Sequence, residues 1–174
     1  MTIYFTADTH FAHAAILKHQ PARLQWCQDI DSMDNAIINK INEVVGRNDE
    51  LWHLGDFAWK ASRCGHYRAR LNVRKLHVLQ GNHDSSSLRN FCSTFDTILC
   101  RKFDGQFIHL CHYPMASWAH LHYGGWHLYG HTHGTMEETL NTLWPGRKSL
   151  DVGWDVHGRP ISFEEIRGKF VCGQ

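Results

Sequence analysis

Five short apolar runs in this chain stop in the same way, and that repetition constrains the fold more than any other feature. TIYFTA (2–7) ends at Asp8 and His10, ELWHL (50–54) at Gly55 and Asp56, and KLHVLQ (75–80) at Gly81, Asn82 and His83. FIHLC (107–111) ends at His112, and WHLY (126–129) ends at Gly130, His131 and His133. Runs this short, rich in β-branched and aromatic residues, read as buried strands. Each delivers a carboxylate, amide or imidazole at its exit. His131 and His133 flank one residue there, and because strand side chains alternate faces they are expected to point the same way. A His-rich surface turn is the plain alternative in a chain with 15 histidines.

Between the first two strands, Met33, Ile37, Ile41 and Val44 recur at helical spacing, with Asp31 or Ser32 as the expected N-cap and Gly46 as the stop. Strands alternating with helices indicate an α/β fold. Asp104-Gly105 between two apolar runs marks a tight hairpin, so pairing is expected to become antiparallel from there. KSLDVGWD supplies a further strand, and ISFEEI near the end reads as a last half-buried strand rather than a helix. Ala58 to Gly65 and Met115 to Gly125 read as loops beside ligand-bearing strand ends, where substrate contacts tend to sit.

A length of 174 residues fits one domain spanning 1–174, and a net charge of +1 gives no basic field for strong nucleic-acid binding. The six cysteines include no C-x-x-C pair, so free thiols are expected rather than a zinc ribbon. MTIYFTADTH enters a strand directly, without the basic start and apolar run of a secretory leader, and no later stretch is long enough to span a membrane. A cytoplasmic location without membrane contact is the expectation.

The strand-end residues mix carboxylate, imidazole and amide, a donor set that suits Mn, Fe, Zn and related first-row ions better than structural thiolate zinc. Asp56 is of a type that can bridge two ions. The ordered series DTH, GD, GNHD, H and GHTH, from Asp8 to His133, resembles the motif series of the calcineurin-like metallophosphoesterases, in particular their small stand-alone bacterial and phage members. The resemblance implies a four-layer α/β/β/α sandwich of two mixed sheets flanked by helices, of the metallo-dependent phosphatase kind.

It also implies two divalent metal ions, Mn first, with Fe, Zn, Ni or Co as alternatives. Asp8, His10 and His133 would hold one, Asn82, His112 and His131 the other, with Asp56 between them. A water shared by two such ions is acidified enough to attack phosphorus in line. His83, next to Asn82, would then serve as general acid or as a cation at the departing oxygen, with Asp84 holding its ring or capping a helix.

The chain departs from the protein Ser/Thr phosphatases of that superfamily, reading GDFAWKA and GNHD where they carry GDxVDRG and GNHE. A phosphoprotein substrate is therefore not expected. The expected activity is that of a phosphodiesterase on small or nucleotide-like phosphate esters. A phosphomonoesterase is the alternative, which an arginine pair facing the site would favour by neutralising a dianionic phosphate, with Arg63, Arg89 and Arg101 as candidates. A non-catalytic protein-binding scaffold on the same fold is the other alternative. His13 is expected at a substrate phosphate or capping the next helix, and Tyr113 at the substrate. Trp59, Trp118, His120, His122, Tyr123 and Trp126 either stack on substrate or pin loops.

Overall fold

The computed structural model describes residues 1–171. β1 (Ile3–Thr6), β2 (Glu50–His53), β3 (Lys75–Leu79) and β4 (Thr94–Asp96) pair in parallel in that spatial order, and a two-residue β9 (Ile161–Ser162) closes the other edge antiparallel to β1. Strand alternation sends Leu51, Leu76 and Val78 to one face and Phe5, Trp52 and Leu79 to the other. The first face is covered by α1 (Ile16–His19), α2 (Ile30–Val44) and α3 (Cys64–Arg70), with Met33, Ile37 and Ile41 of α2 fully buried in its core. Each such side chain contributes about 1.5–3 kcal/mol by leaving water.

α2 starts earlier than its apolar spacing suggests. Asp29, in an extended conformation, accepts the Ser32 amide at 2.8 Å while the Ser32 hydroxyl accepts the Asp29 amide at 3.0 Å, so the N-cap is Asp29 rather than Asp31 or Ser32.

The second sheet runs β5 (Ile98–Phe103), β6 (Gln106–Cys111), β7 (Trp126–Tyr129), β8 (Ser149–Asp151). The β5–β6 hairpin turns on Asp104 (φ 43°) and Gly105 (φ 83°), both left-handed as a type I′ turn requires. The antiparallel expectation fails beyond this hairpin: β6, β7 and β8 are parallel, because 112–125 and 130–148 carry the chain back across the sheet each time. Parallel order puts the exits of β6 and β7 at one end.

Ile108, Leu110, Trp126 and Leu128 meet the inner face of the first sheet in a second core. α4 (Glu137–Leu143) is tied to the second sheet by Glu137, which accepts from the Tyr129 hydroxyl and the Asp151 amide. α5 (Trp154–His157) follows β8, and α6 (Phe163–Val171) packs Phe163 and Ile166 into the second core.

The expected terminal strand over ISFEEI is therefore only β9. From Phe163 the chain is helical, nucleated by Ser162 and Glu165: the Glu165 amide donates to the Ser162 hydroxyl at 3.2 Å and the Ser162 amide to the Glu165 carboxylate at 2.8 Å. Cys27, Cys64, Cys92, Cys100 and Cys111 are free thiols, and Cys172 lies outside the described residues. No helix among the described residues is long and apolar enough to cross a membrane.

Candidate metal centre

The exits of β1 and β2 are laced together before any side chain is considered. The Asp8 amide donates to the Gly55 carbonyl at 3.0 Å and the His10 amide to the Asp56 carbonyl at 2.9 Å. Asp8, His10, Asp56, His131 and His133 all have positive φ, between 48° and 70°. A left-handed backbone at a non-glycine residue costs roughly 1–3 kcal/mol and persists where surroundings over-determine it, most often at functional sites. His131 and His133 thus diverge through left-handed turns, and the strand-alternation expectation that they point the same way is replaced.

Two groups of donor atoms result. Asp8, His10 and His133 form one, and Asp56, His112 and His131 the other, each with its ligand-type atoms within 4.8 Å of one another. Asn82 joins the second, its Oδ1 lying 3.1 Å from His112 Nε2. Asp56 sits between: Oδ1 accepts the His83 amide at 2.9 Å, while Oδ2 lies 3.6 Å from His10 Nε2 and 3.5 Å from His112 Nε2.

Ring orientation follows from the other nitrogen of each imidazole. His112 Nδ1 faces the Leu54 carbonyl at 2.8 Å and so must be the N–H that donates, freeing Nε2. His133 Nδ1 donates to Asp155 Oδ2 at 2.6 Å. His10 and His13 bring their Nδ1 atoms within 3.2 Å, so one of the two carries the shared proton.

The arrangement fits cations. His10 Nε2 is buried with no hydrogen-bond partner. The Asp8 carboxylate is fully buried and accepts the His131 amide at 2.9 Å, and burial outweighs the neighbouring imidazoles to push its pKa up to about 7. A carboxylate held in so dry a place keeps its charge only beside a positive partner. Burial likewise drives His10 down to about 2, into the neutral form that ligates. Burial opposes charge on His112, but the Asp56 hydrogen bond and the charges of Asp8 and Asp56 prevail and raise it to about 9. A Cβ on Gly81 would fall 2.2 Å from Asp56 Oδ1, and one on Gly130 2.6 Å from Asp8 Oδ2. The motif glycines let neighbouring backbone close over the two carboxylates.

Asp84 departs from expectation. Its buried carboxylate accepts the amides of Asp56 and Phe57 at 2.8 Å, Gly81 at 3.0 Å and Ala58 at 3.3 Å. It neither holds the His83 ring nor caps a helix; it shapes the turn that carries Asp56. The half-buried His83 ring instead lies 5.6 Å from the His10 ring, 5.5 Å from His13 and 4.8 Å from Trp59, between centroids. His13 caps no helix either, stacking flat on Trp59 at 4.1 Å.

These rings line a cleft of about 470 Å³ over the two donor groups, and Tyr113 stands across it, its hydroxyl 3.5 Å from Asn82 Oδ1 and its ring edge-on to His131. Trp118 and Trp126 are buried away from it, the Trp118 indole donating to the Gly125 carbonyl at 2.9 Å. His120 stacks on Phe107, and His122 lines a separate groove beside Trp144. No lysine or arginine lines the cleft among the described residues. Arg63, Arg89 and Arg101 lie instead over Tyr67, Phe95 and Trp52.

Arg23 and Asp155 carry no motif, and sequence reasoning missed both. Arg23, 1% exposed, donates Nη2 to the Asp8 carbonyl at 2.7 Å and pairs with Asp155, the carboxylate that anchors His133. Burial opposes the Asp155 charge, yet the Arg23 and His133 hydrogen bonds hold its pKa near 2. Asp151, also missed, accepts from the Thr132 hydroxyl and the Gly134 and Gly153 amides, fixing the GHTHG turn.

No family model matches the chain. An uncharacterised protein of Methanocaldococcus jannaschii is 29% identical over 177 residues, covering 97% of this chain and 94% of that protein. A protein of unknown function from Aquifex aeolicus superposes with a TM-score of 0.78 at 22% identity, over 95% of this chain and 97% of that one. An archaeal phosphodiesterase superposes with a TM-score of 0.49 at 16% identity, over 94% of this chain and all of that one. The fold, two mixed sheets face to face with flanking helices, is shared with the Aquifex aeolicus protein.

Proposed function

We propose that this chain is a dinuclear-metal phosphohydrolase acting on phosphodiesters. Asp8, His10 and His133 hold one ion, Asn82, His112 and His131 the other, and Asp56 is the shared ligand. Such ions supply Lewis-acid charge to phosphoryl oxygens and acidify water. The observation that supports the diester preference is the cleft itself: it is walled by imidazoles and aromatic rings, and among the described residues no lysine or arginine lines it. Such cations, added to the metal charge, would favour a monoester dianion, whereas a diester carries a single negative charge.

His83 stands at the cleft wall with its amide on Asp56 and its ring outside both donor groups. Its imidazole N–H gives a proton to the departing oxygen. His13, braced by Trp59, orients a phosphoryl oxygen, and Tyr113 borders the opposite ester arm. Trp59, 46% exposed beside the cleft, offers its indole to an aromatic arm, which suits nucleotide-like diesters. Manganese is the first choice of ion for this mixed oxygen and nitrogen set. The free cysteines go with a reducing, cytoplasmic setting.

The deciding experiment strips the protein of metal, adds back Mn, Ni, Zn or Mg, and compares bis(p-nitrophenyl) phosphate with p-nitrophenyl phosphate. The proposal expects metal-dependent turnover of the diester well above the monoester. A dominant monoester activity would replace the diester reading, and no turnover with any ion would leave a scaffold.

A further inference from the structure

Arg23 and Asp155 belong to neither donor group, yet they touch the site at three points. Arg23 lies in the short turn Pro21–Gln25 and Asp155 at the start of α5, 132 residues on. The contact is bidentate, Nε to Oδ1 at 2.7 Å and Nη2 to Oδ2 at 2.6 Å. The same guanidinium donates to the Asp8 carbonyl at 2.7 Å and the Thr9 carbonyl at 3.2 Å. Asp155 Oδ2 also accepts His133 Nδ1–H at 2.6 Å.

A buried ion pair of this kind is weak evidence of stabilisation, since desolvating two charges offsets most of their attraction. What it supplies is direction. A planar fork of five donors makes all four of these hydrogen bonds at once, two of them bidentate to one carboxylate, whereas an ammonium has only three donors. Both ends of that fork reach the same donor group, Asp8 through its backbone and His133 through its ring. The second group is anchored otherwise, His112 on the Leu54 carbonyl and Asp56 on the His83 amide.

We infer that Arg23 and Asp155 are positioning residues for the Asp8, His10 and His133 group alone, fixing the His133 ring with Nε2 free and holding the left-handed turn that presents Asp8. The inference rests on the dinuclear reading above. Metal-stripped full-length protein titrated with Mn²⁺ by calorimetry tests it. Wild type takes up two equivalents; in Asp155→Asn one equivalent weakens by roughly 10- to 100-fold, the usual worth of a residue orienting a ligand, while the other stays within about threefold.

Arg23→Lys shifts the same equivalent in the same direction. Both equivalents unchanged, or both weakened by one factor, overturns the inference. Should Asp155→Asn fail to fold, ¹⁵N-imidazole spectra of metal-free wild type carry the test: a proton on His133 Nδ1 is expected, and one on Nε2 overturns it. A wild type that binds no Mn²⁺ would instead sink the dinuclear reading, which keeps the two failures apart.

Discussion

The two donor groups are assembled from the same few residue types and sit in different surroundings. Asp8 and His10 are sealed from solvent, and the ring of His133 is anchored on a carboxylate that is itself gripped by Arg23. In the second group His131 and Asn82 are exposed, and the His112 ring is anchored on the neutral Leu54 carbonyl. A carboxylate behind an imidazole raises its basicity as a ligand more than a carbonyl does. The first group is therefore the drier one, and the difference teaches that motif letters set the donor types while outer contacts set the surroundings in which each group holds its rings.

The largest expected effect comes from the residue the groups share. Asp56→Asn replaces the one charged atom facing both His10 and His112, so metal content and turnover should fall together, with activity lost to detection. Elemental analysis showing two ions bound with wild-type affinity would place the shared ligand elsewhere.

Next come the two histidines of the GHTHG turn, which separate the groups. His133→Ala should lose the ion of the sealed group and His131→Ala that of the open one, leaving about one ion per chain in each. The remaining ion should resist chelation in His131→Ala and exchange quickly in His133→Ala. Equal rates of release to EDTA would break the comparison, because they would mean that burial and the Asp155 contact do not distinguish the groups.

His83 touches neither group as a ligand, so His83→Ala should keep both ions and slow turnover by roughly 10² to 10⁴, the range for a positioned acid. Alkyl esters should suffer more than nitrophenyl esters, whose leaving group departs with little help from a proton. Equal losses would assign His83 to charge stabilisation instead, and loss of metal would move it into a donor group.

Legibility divides along similar lines. The donor residues could be read because each follows a buried strand, where an apolar run ending in a ligand is conspicuous. The Asp104-Gly105 turn was readable for a local reason, since two left-handed residues in succession favour that pair. Arg23 and Asp155 could not be found this way: each is a lone charge in unremarkable sequence, and only the fold brings them together. Asp84 misled through adjacency, because a carboxylate next to His83 suggests a partner, whereas its side chain turns back to four amides. The last helix did have a signal, the Ser162-x-x-Glu165 capping box, which the apolar residues around it masked as a strand.

The smallest effect tests the wall rather than the groups. Trp59 is 46% exposed and stacks one face on His13 at 4.1 Å with the planes within 8°, which leaves it able to take an aromatic arm on its other side. Aromatic pairs of this kind contribute about 0.5–1.5 kcal/mol beyond area burial, so Trp59→Ala should raise KM about two- to tenfold for an aryl or nucleoside diester. A dialkyl diester has no ring to lose and should show little change in KM. Both ions should remain, because Trp59 meets the sealed group indirectly, through His13, whose Nδ1 faces that of His10, and through the neighbouring His83 ring. If kcat falls while KM holds for both substrates, the indole serves to brace His13 and His83 rather than to bind the ester. If metal affinity of the sealed group falls as well, the His13 contact orients His10 as Asp155 orients His133, and the two groups differ by one more anchored ring than the comparison now counts.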